Sequence, residues 1–467
     1  MKDRISELPE LVLSSILSYL TLKDVIKTSA LSKEWKRQHR KVINTLNLDL
    51  PNLLESNYAN DLESKYAKSQ SDNFDQLLDV RWEFINRVQR VLRHFKSSQI
   101  KSFKVTFFMD SQVSCYIDCW IRSAIAFGVE EIQLLFSDKP LSRIQIDKHR
   151  FYKFPYWFFN PYFLKHLNLQ RCILTPPLYF TGFSKLLTLS LEEVIVSQNF
   201  VDFLFTHSTF LQELTINCCY FAGEAPVLRI VSSSLHKLSL LYVSTLLKVE
   251  IIAVNLLFFK YWLVKSAKMT LFHAPRLANF HFYISETDTE TPCLLSQIIA
   301  RPSLEIVNII LEPFQVKKLQ TAGTFQFRNL KELTLVYYDN GRTEVDDFIW
   351  VLDIVKACPV LQKFQFTFIH TTFPTNKEKM ETLCGHAQKS LKEMKMSGRT
   401  VNWHEIELVI FLLKNEIDNK LMIVEPSINV YKGQNWLHFE HKSSWSESCL
   451  DTFLTSLRNN IPHLVYL

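Results

Sequence analysis

The chain has 467 residues, of which 47% are hydrophobic and 21% are charged, so it can bury a large core and is not broadly disordered. Its 53 basic and 47 acidic residues give a net charge of +6, too small and too dispersed to indicate a nucleic-acid-binding protein. The closest two of its eight glycines, Gly385 and Gly398, are 13 residues apart. This spacing excludes glycine-rich phosphate loops and the glycine-flanked serine of α/β-hydrolases.

The nine cysteines form no C-x-x-C pair, and no N-x-S/T glycosylation site occurs. This pattern is typical of an intracellular protein with reduced thiols, in the nucleus, the cytoplasm or both. The most lipid-like stretch, 246–264, contains Lys248, Glu250 and Lys260, which predicts that it does not span a membrane. We therefore expect no membrane partner.

The first fifty residues predict three helices. The first begins near Pro9, the second spans about 22–30, and the third spans about 32–43. The first helix has apolar residues on more than one side. Because forty residues bury little surface on their own, these side chains either bind a partner or cap the rest of the chain.

The same residues resemble an F-box of the plant type. The resemblance rests on Asp3-Arg4-Ile5-Ser6-Glu7-Leu8-Pro9, on Ile16-Leu17-Ser18-Tyr19-Leu20, and on Leu31-Ser32-Lys33 followed by Trp35. One departure is Leu11, where the family more often has an acidic or polar residue. The resemblance implies docking on the Skp-type adaptor of a cullin-based ubiquitin ligase, through Leu8, Pro9, Val12, Leu13, Ile16, Leu17, Leu20, Leu31 and Trp35.

Residues 23–41 contain seven basic and two acidic residues. This charge could complement an acidic adaptor, or it could be an ordinary solvated helix face. Residues 51–76 are polar and predict a linker or loop. An amphipathic helix is predicted over 77–95, where it would begin the large body.

The rest of the chain repeats an L-x-x-L-x-L triplet twelve times, at intervals of 21 to 35 residues. Most intervals are close to the roughly 20 to 29 residues of leucine-rich repeats, in which each triplet forms one strand of a parallel sheet. A thirteenth triplet, Leu246-Val249-Ile251, fits the pattern but not the interval. The triplets begin at Ile100, Val129, Leu164, Leu186, Leu211, Leu235, Leu256, Leu277, Leu304, Leu330, Leu361 and Leu391.

Residues 390–424 change in character and predict a strand, a turn, a helix and a second strand. They are similar to the FBD region that often ends plant F-box proteins with leucine-rich repeats. A closing helix is predicted over 446–459. The expected fold class is α/β, with a three-helix F-box followed by a leucine-rich-repeat solenoid whose parallel sheet lies on the concave face. The expected domains are 1–50 (F-box), 51–98 (linker and capping helix), 99–389 (solenoid) and 390–467 (FBD-like region and cap).

The sequence contains no recognisable catalytic, metal-binding or cofactor-binding motif, because the neighbouring His and Cys residues lack further ligands at the required spacing. The third, fifth and seventh positions of each triplet should face the concave side. They form an apolar and aromatic row over five strands, which either binds a substrate or is covered by loops or the cap. This candidate substrate surface consists of Leu241, Phe258, Lys260, Trp262, His281, Tyr283, Ile306, Ile310 and Val336.

Taken with the resemblance, these features predict a non-catalytic, substrate-recognition subunit of an SCF-type (Skp-cullin-F-box) ubiquitin ligase. Its partners would be a Skp-type adaptor, a cullin bound through that adaptor, and an unidentified protein marked for degradation. Two alternatives stay open at this point. One is a repeat scaffold that acts outside a ubiquitin ligase, and the other, indicated only by the net charge, is a nucleic-acid-binding repeat protein.

Overall fold

The chain divides into two compact units, Met1–Leu235 (unit 1) and His236–Leu467 (unit 2). The computed structural model describes residues 8, 9, 12, 15, 16, 20, 22–28, 43–53, 74–95, 100–136, 148–156, 163–177, 183–223, 227–243, 246–263, 268–284, 298, 301–311, 326–338, 349–369, 390–398, 421–425, 428–432, 435–439 and 455.

Unit 1 contains five described α-helices and eleven described strands. The helices are α1 (Leu22–Thr28), α2 (Leu50–Leu53), α3 (Phe74–His94), α4 (Ser114–Ala126) and α5 (Gln198–His207). The strands are β1 (Thr45–Asp49), β2 (Ser102–Thr106), β3 (Glu131–Leu135), β4 (Tyr152–Lys153), β5 (His166–Gln170), β6 (Cys172–Leu174), β7 (Thr188–Glu192), β8 (Ile195–Ser197), β9 (Glu213–Asn217), β10 (Tyr220–Ala222) and β11 (Val227–Ser232).

Unit 2 is mostly strand in its described residues, with one helix, α6 (Ile349–Lys356). Its strands are β12 (Lys237–Leu241), β13 (Lys248–Ala253), β14 (Phe258–Leu263), β15 (Lys268–His273), β16 (Asn279–Ile284), β17 (Ile306–Leu311), β18 (Glu332–Tyr338), β19 (Lys363–Ile369), β20 (Glu393–Gly398), β21 (Leu421–Glu425), β22 (Ile428–Lys432) and β23 (Asn435–Phe439).

Each unit is built on a parallel sheet. In unit 1 the sheet order is β1-β2-β3-β5-β7-β9, and in unit 2 it is β12-β14-β16-β17-β18-β19-β20-β21. Consecutive repeats therefore add consecutive strands, as a leucine-rich-repeat fold requires. The predicted α/β class with a large parallel sheet is confirmed.

The twelve predicted triplets all fall on these sheets, with their second and third positions inside a strand. The triplet side chains that the structure describes are at most 4% exposed. Register pairs such as Leu238 with Phe259, and Phe259 with Phe280, stack equivalent positions of neighbouring repeats. Burial of a full apolar side chain stabilises a fold by about 1.5 to 3 kcal/mol, so this ladder is the main source of stability.

A tight bend follows four of the strands, at the eighth position of the repeat. Arg171, Glu193, Cys218 and Tyr242 have φ values of 51° to 54°, in the left-handed region. The ninth side chain turns back into the core, where Cys172, Val194, Cys219 and Val243 are at most 1% exposed. This position extends the triplet to the longer leucine-rich-repeat pattern, which was not part of the sequence prediction.

Short second strands follow the bends and form further small sheets. In unit 1, β4, β6, β8 and β10 pair in parallel. In unit 2, β13 pairs with β15. The irregular triplet Leu246-Val249-Ile251 lies at this second layer rather than on the main sheet, which explains why its interval does not match the others.

Two elements near the start of the body differ from the sequence prediction. Strand β1 was not predicted, although Ile43, Leu46 and Leu48 form a further triplet of the same pattern next to the F-box motif. The amphipathic helix α3 begins at Phe74 rather than at Leu77, so it includes three further residues, Phe74, Asp75 and Gln76.

Buried charges attach α3 to the repeats of unit 1. Asp110 is 1% exposed and Arg81 is 2% exposed, with 3.2 Å between Arg81 Nη1 and Asp110 Oδ1. Arg150 binds the other carboxylate oxygen of Asp110. The backbone N–H of Gln112 also donates to Asp110 Oδ1, at 3.0 Å. One carboxylate therefore joins a helix to two short 3₁₀ helices of the repeat body, Ser111–Val113 and Lys148–Arg150.

The C-terminal region is described only in part. Strand β21 continues the main sheet beside β20, and β22 and β23 form an antiparallel hairpin. The strands predicted at the two ends of 390–424 are thus present. The helix predicted between them lies outside the described residues, as does nearly all of the closing helix predicted over 446–459.

Candidate protein-interaction surfaces

The first candidate surface lies at the N-terminus and is apolar. Leu8, Val12 and Ile16 are 36%, 43% and 37% exposed, and Pro9 is also exposed. Val12 and Ile16 are both helical and one turn apart, which places them on the same face. A helix acting only as a cap would bury such side chains, so their exposure favours a surface that binds a partner.

The remaining predicted adaptor residues divide into two groups. Leu20 is half-buried, ahead of α1, whose Leu22 is 8% exposed and therefore buried. Helix α1 packs against α2, which joins the N-terminal segment to the first strand of the sheet. The other group, Leu13, Leu17, Leu31 and Trp35, lies outside the described residues.

The second candidate surface lies on the sheet of unit 2, on the face opposite the buried ladder. The register places its residues in three rows that run across β12, β14, β16, β17 and β18. Neighbouring residues in a row are about 4.8 Å apart, the spacing of paired strands. Phe258 and Ile306, from the candidate set, lie in the row of third positions, and both are half-buried.

The row of seventh positions, which we term the apolar row, consists of Leu241, Trp262, Tyr283, Ile310 and Val336. Tyr283 and Ile310 are half-buried, whereas the other three members are at most 8% exposed. The Trp262 and Tyr283 ring centroids are 4.7 Å apart. The row is therefore packed along its own length and only partly open.

The row of fifth positions, which we term the polar row, consists of Ser239, Lys260, His281, Asn308 and Thr334. Asn308 Nδ2 lies 3.0 Å from His281 Nε2. Lys260 is only 5% exposed, which is unusual for a lysine. Lys260 and His281 were predicted on this face, whereas Ser239 and Thr334 were not among the predicted residues. Their equivalent position in the repeat is the sequence signal that identifies them.

Burial shifts the acid–base behaviour of two members of the polar row. Desolvation, together with the positive charge of Lys237, lowers the pKa of Lys260 to about 8. Desolvation, together with the charge of Lys260, lowers the pKa of His281 to about 4. At neutral pH, His281 is therefore uncharged, whereas Lys260 is mostly protonated although its side chain is buried.

The two rows border a shallow cleft that is open to solvent. Its principal side chains are Trp262 at one end, Val336 at the other, and His281, Asn308, Ile310 and Thr334 between them. Of the nine residues predicted as a substrate surface, the cleft thus brings together Trp262, His281, Ile310 and Val336. The remaining five lie beside it or in the neighbouring rows.

Replacement of Lys260 with Met should stabilise the protein by about 2 kcal/mol at pH 7, because it removes a buried charge. The unfolded chain binds the Lys260 proton more tightly than the folded chain between about pH 8 and 10.5, so wild-type stability should rise with pH across that window. Urea unfolding at pH 7 and pH 10 measures both effects.

The matched control is Lys363→Met, because Lys363 is 55% exposed and lies on the same face. Its replacement should change stability by less than about 1 kcal/mol. An unchanged pH slope in Lys260→Met would show that Lys260 does not carry the buried charge.

A family of leucine-rich-repeat proteins matches this arrangement over most of the chain. The family, described as At1g61320/AtMIF1, LRR domain, matches residues 91–454, well over half of the chain. The chain belongs to this family. The F-box domain family matches residues 5–38, where Leu8, Val12 and Ile16 are exposed. This F-box and leucine-rich-repeat chain therefore has both parts that its sequence predicts.

Relatives of this F-box and leucine-rich-repeat chain occur in Arabidopsis thaliana. It is 26% identical over 273 residues to the "Putative FBD-associated F-box protein At1g61330". This alignment covers 53% of the chain and 60% of the relative. It is 30% identical over 233 residues to the "Putative F-box/FBD/LRR-repeat protein At4g03220", covering 48% and 40%. It is 28% identical over 241 residues to the "F-box protein At5g03100", covering 51% and 63%. The chain thus spans 40% to 63% of the length of these relatives.

In the part of the chain that the structure describes, no helix has the length and apolar character needed to cross a membrane.

Two buried cysteines of the repeat core, Cys172 and Cys219, have unreactive thiols. Burial raises the pKa of the Cys219 thiol to about 12, and it raises the pKa of the Cys172 thiol further. Such thiols are not available as thiolate nucleophiles at neutral pH.

Proposed function

We propose that the chain is the substrate-recognition subunit of an SCF-type ubiquitin ligase. Its N-terminal F-box, within residues 1–50, binds a Skp-type adaptor and through it a cullin. The repeats, within residues 99–389, bind the protein to be ubiquitinated. The observation that carries this proposal is the exposure of Leu8, Val12 and Ile16 within the segment that matches the F-box family.

The proposed mechanism is proximity rather than bond chemistry. A receptor that holds a target near a ubiquitin-charged enzyme raises the effective concentration of the target's lysines. The two candidate surfaces lie at separate positions along the chain, which suits a subunit with two partners. The chain itself then needs no catalytic residue, and we place its action in the nucleus or cytoplasm, where cullin ligases would be available to it.

Co-expression of the full chain with a Skp-type adaptor tests the first step. We expect the two proteins to elute together from a gel-filtration column at equal molar amounts. Separate elution of two folded proteins would contradict the proposal. That result would favour a repeat scaffold that acts outside a ubiquitin ligase.

A further inference from the structure

Two cysteines lie on the exposed side of helix α4, one turn apart. Cys115 and Cys119 are separated by four positions in the sequence, and both are free thiols exposed to solvent. Residues with this spacing lie on the same helix face, with Cβ atoms about 5 to 6 Å apart. Cysteine is among the most buried residue types, so a pair of exposed cysteines on one face is unusual. This face of α4 presents two thiols to the solvent side by side.

The opposite side of α4 holds the pair in a fixed arrangement. Ile117, Trp120, Ile121 and Ala124 are at most 1% exposed, so this side of the helix is packed inside unit 1. The Trp120 ring centroid lies 6.4 Å from that of Phe84, on α3. A ligand that bridges both thiols therefore meets a backbone that is already ordered, which favours affinity.

The geometry of the helix disfavours a direct disulfide between the two thiols. A disulfide requires Cβ atoms about 3.5 to 4.5 Å apart, which is less than the spacing of residues one helical turn apart. Its formation would distort α4 and the packing of the buried side. An atom that lies between the two sulfurs spans a wider gap and leaves the helix intact. The pair is therefore better suited to a bridging ligand than to oxidation.

The set of available ligands indicates which kind of ion can bridge the pair. Thiolates prefer soft ions, and a structural zinc site is completed by four protein ligands. Within the part of the chain that the structure describes, no group of three or more His, Cys, Asp and Glu side chains could hold a metal ion. Trivalent arsenic is soft and takes three ligands, so two thiolates and one hydroxide complete its coordination. Two cysteines are sufficient for this ion.

The adjacent cysteines Cys218 and Cys219 lack the properties of this pair. Cys219 is 1% exposed, and its thiol donates to the carbonyl oxygen of Leu191 at 3.5 Å. Burial raises the pKa of the Cys218 thiol to about 11 and that of the Cys219 thiol to about 12. A thiol must lose its proton to bind an ion, so these shifts oppose binding. The buried pair therefore serves as an internal comparison for the exposed one.

We propose that Cys115 and Cys119 form a two-thiol site for trivalent arsenic. Arsenite is present at neutral pH as the uncharged acid As(OH)₃. Each thiol forms one S–As bond and displaces one hydroxide, which leaves as water with the proton of that thiol. The product is one arsenic atom bound by two sulfurs and one hydroxide, with two water molecules released. No oxidant or reductant is needed, because arsenic stays trivalent and both sulfurs keep their oxidation state.

Titration of the reduced full chain with arsenite, followed by native mass spectrometry, tests the proposal. Wild type should bind one arsenic atom per chain. Cys115→Ser and Cys119→Ser should each bind arsenite at least about tenfold more weakly, because the second bond is no longer intramolecular. Both substitutions are at exposed positions and should cost little folding stability. Binding by either variant as tight as that by wild type would overturn the proposal.

Two further variants test whether the spacing matters or the number of cysteines alone. Cys119→Ser/Arg122→Cys keeps two exposed thiols on α4 but places them about 10.5 Å apart along the helix axis. It should bind arsenite as weakly as Cys119→Ser does. Cys218→Ser should bind as tightly as wild type. Tight binding by the displaced pair, or an equal loss in Cys218→Ser and Cys115→Ser, would contradict the proposal. Arsenite binding does not require the adaptor, so this test and that of the proposed function can fail separately.

Discussion

Replacement of both Leu8 and Pro9 with Ala should weaken adaptor binding by about a hundredfold or more. Both residues are exposed in the chain on its own, so their truncation should cost little folding stability. In a protein interface, anchoring residues of this kind each contribute about 2 kcal/mol, and 1.4 kcal/mol corresponds to a tenfold change in affinity. Isothermal titration of the adaptor into wild type and into the double variant measures the difference.

A matched control for this experiment is Leu247→Ala. Leu247 is 57% exposed and lies in unit 2, far along the chain from the F-box. The substitution is the same Leu-to-Ala truncation at another exposed position, and it should leave adaptor affinity unchanged. An equal loss in both variants, or a loss of less than fivefold in the double variant, would contradict the assignment of Leu8 and Pro9 as anchors.

Replacement of Asp110 with Ala should destabilise unit 1 by about 3 to 5 kcal/mol. The change removes the carboxylate that Arg81 and Arg150 share, and it leaves the Arg81 guanidinium, 2% exposed, without that counter-charge. Removal of one partner of a buried ion pair has a cost in this range, because the remaining charge stays desolvated. Burial already lowers the pKa of Arg81, which shows that its charge is costly even beside Asp110. Urea unfolding gives the change in free energy.

The control for Asp110→Ala is Glu130→Ala. Glu130 pairs with Lys165 at 3.0 Å, but both side chains are more than 40% exposed. An exposed pair of this kind contributes less than about 1 kcal/mol. If Asp110→Ala and Glu130→Ala have equal effects, the buried cluster does not attach α3 to the repeats in the way described.

The repeat core could be predicted from the sequence because each strand buries alternate side chains. The twelve triplets, from Ile100 to Leu391, therefore identify the strands of the main sheet almost without gaps. Strand β1 was missed for a different reason. Its triplet at Ile43 follows the F-box motif so closely that its residues were assigned to that domain. The second layer of unit 1 was missed because strands of two or three residues, such as β4 and β10, are too short to show a period.

The depth of the candidate surface could not be predicted in the same way. Strand periodicity indicates which face a side chain lies on, but not how far large neighbours cover it. Lys260 lies between the aromatic residues Phe258 and Trp262 on its own strand, and it is 5% exposed although its row was expected to be open. Likewise, Leu241 and Val336 lie in the expected row but are buried. That these rows bind a substrate stays a prediction.

The most direct test of the proposed role is to identify, by mass spectrometry, the proteins that co-purify with the wild-type chain and with the Leu8→Ala/Pro9→Ala variant. We expect wild type to retain a Skp-type adaptor, a cullin and further proteins. The variant should lose the adaptor and the cullin but keep the further proteins, which are then the substrate candidates. Retention of the cullin by the variant, or the absence of any adaptor from wild type, would contradict the account of this chain as a ubiquitin-ligase receptor.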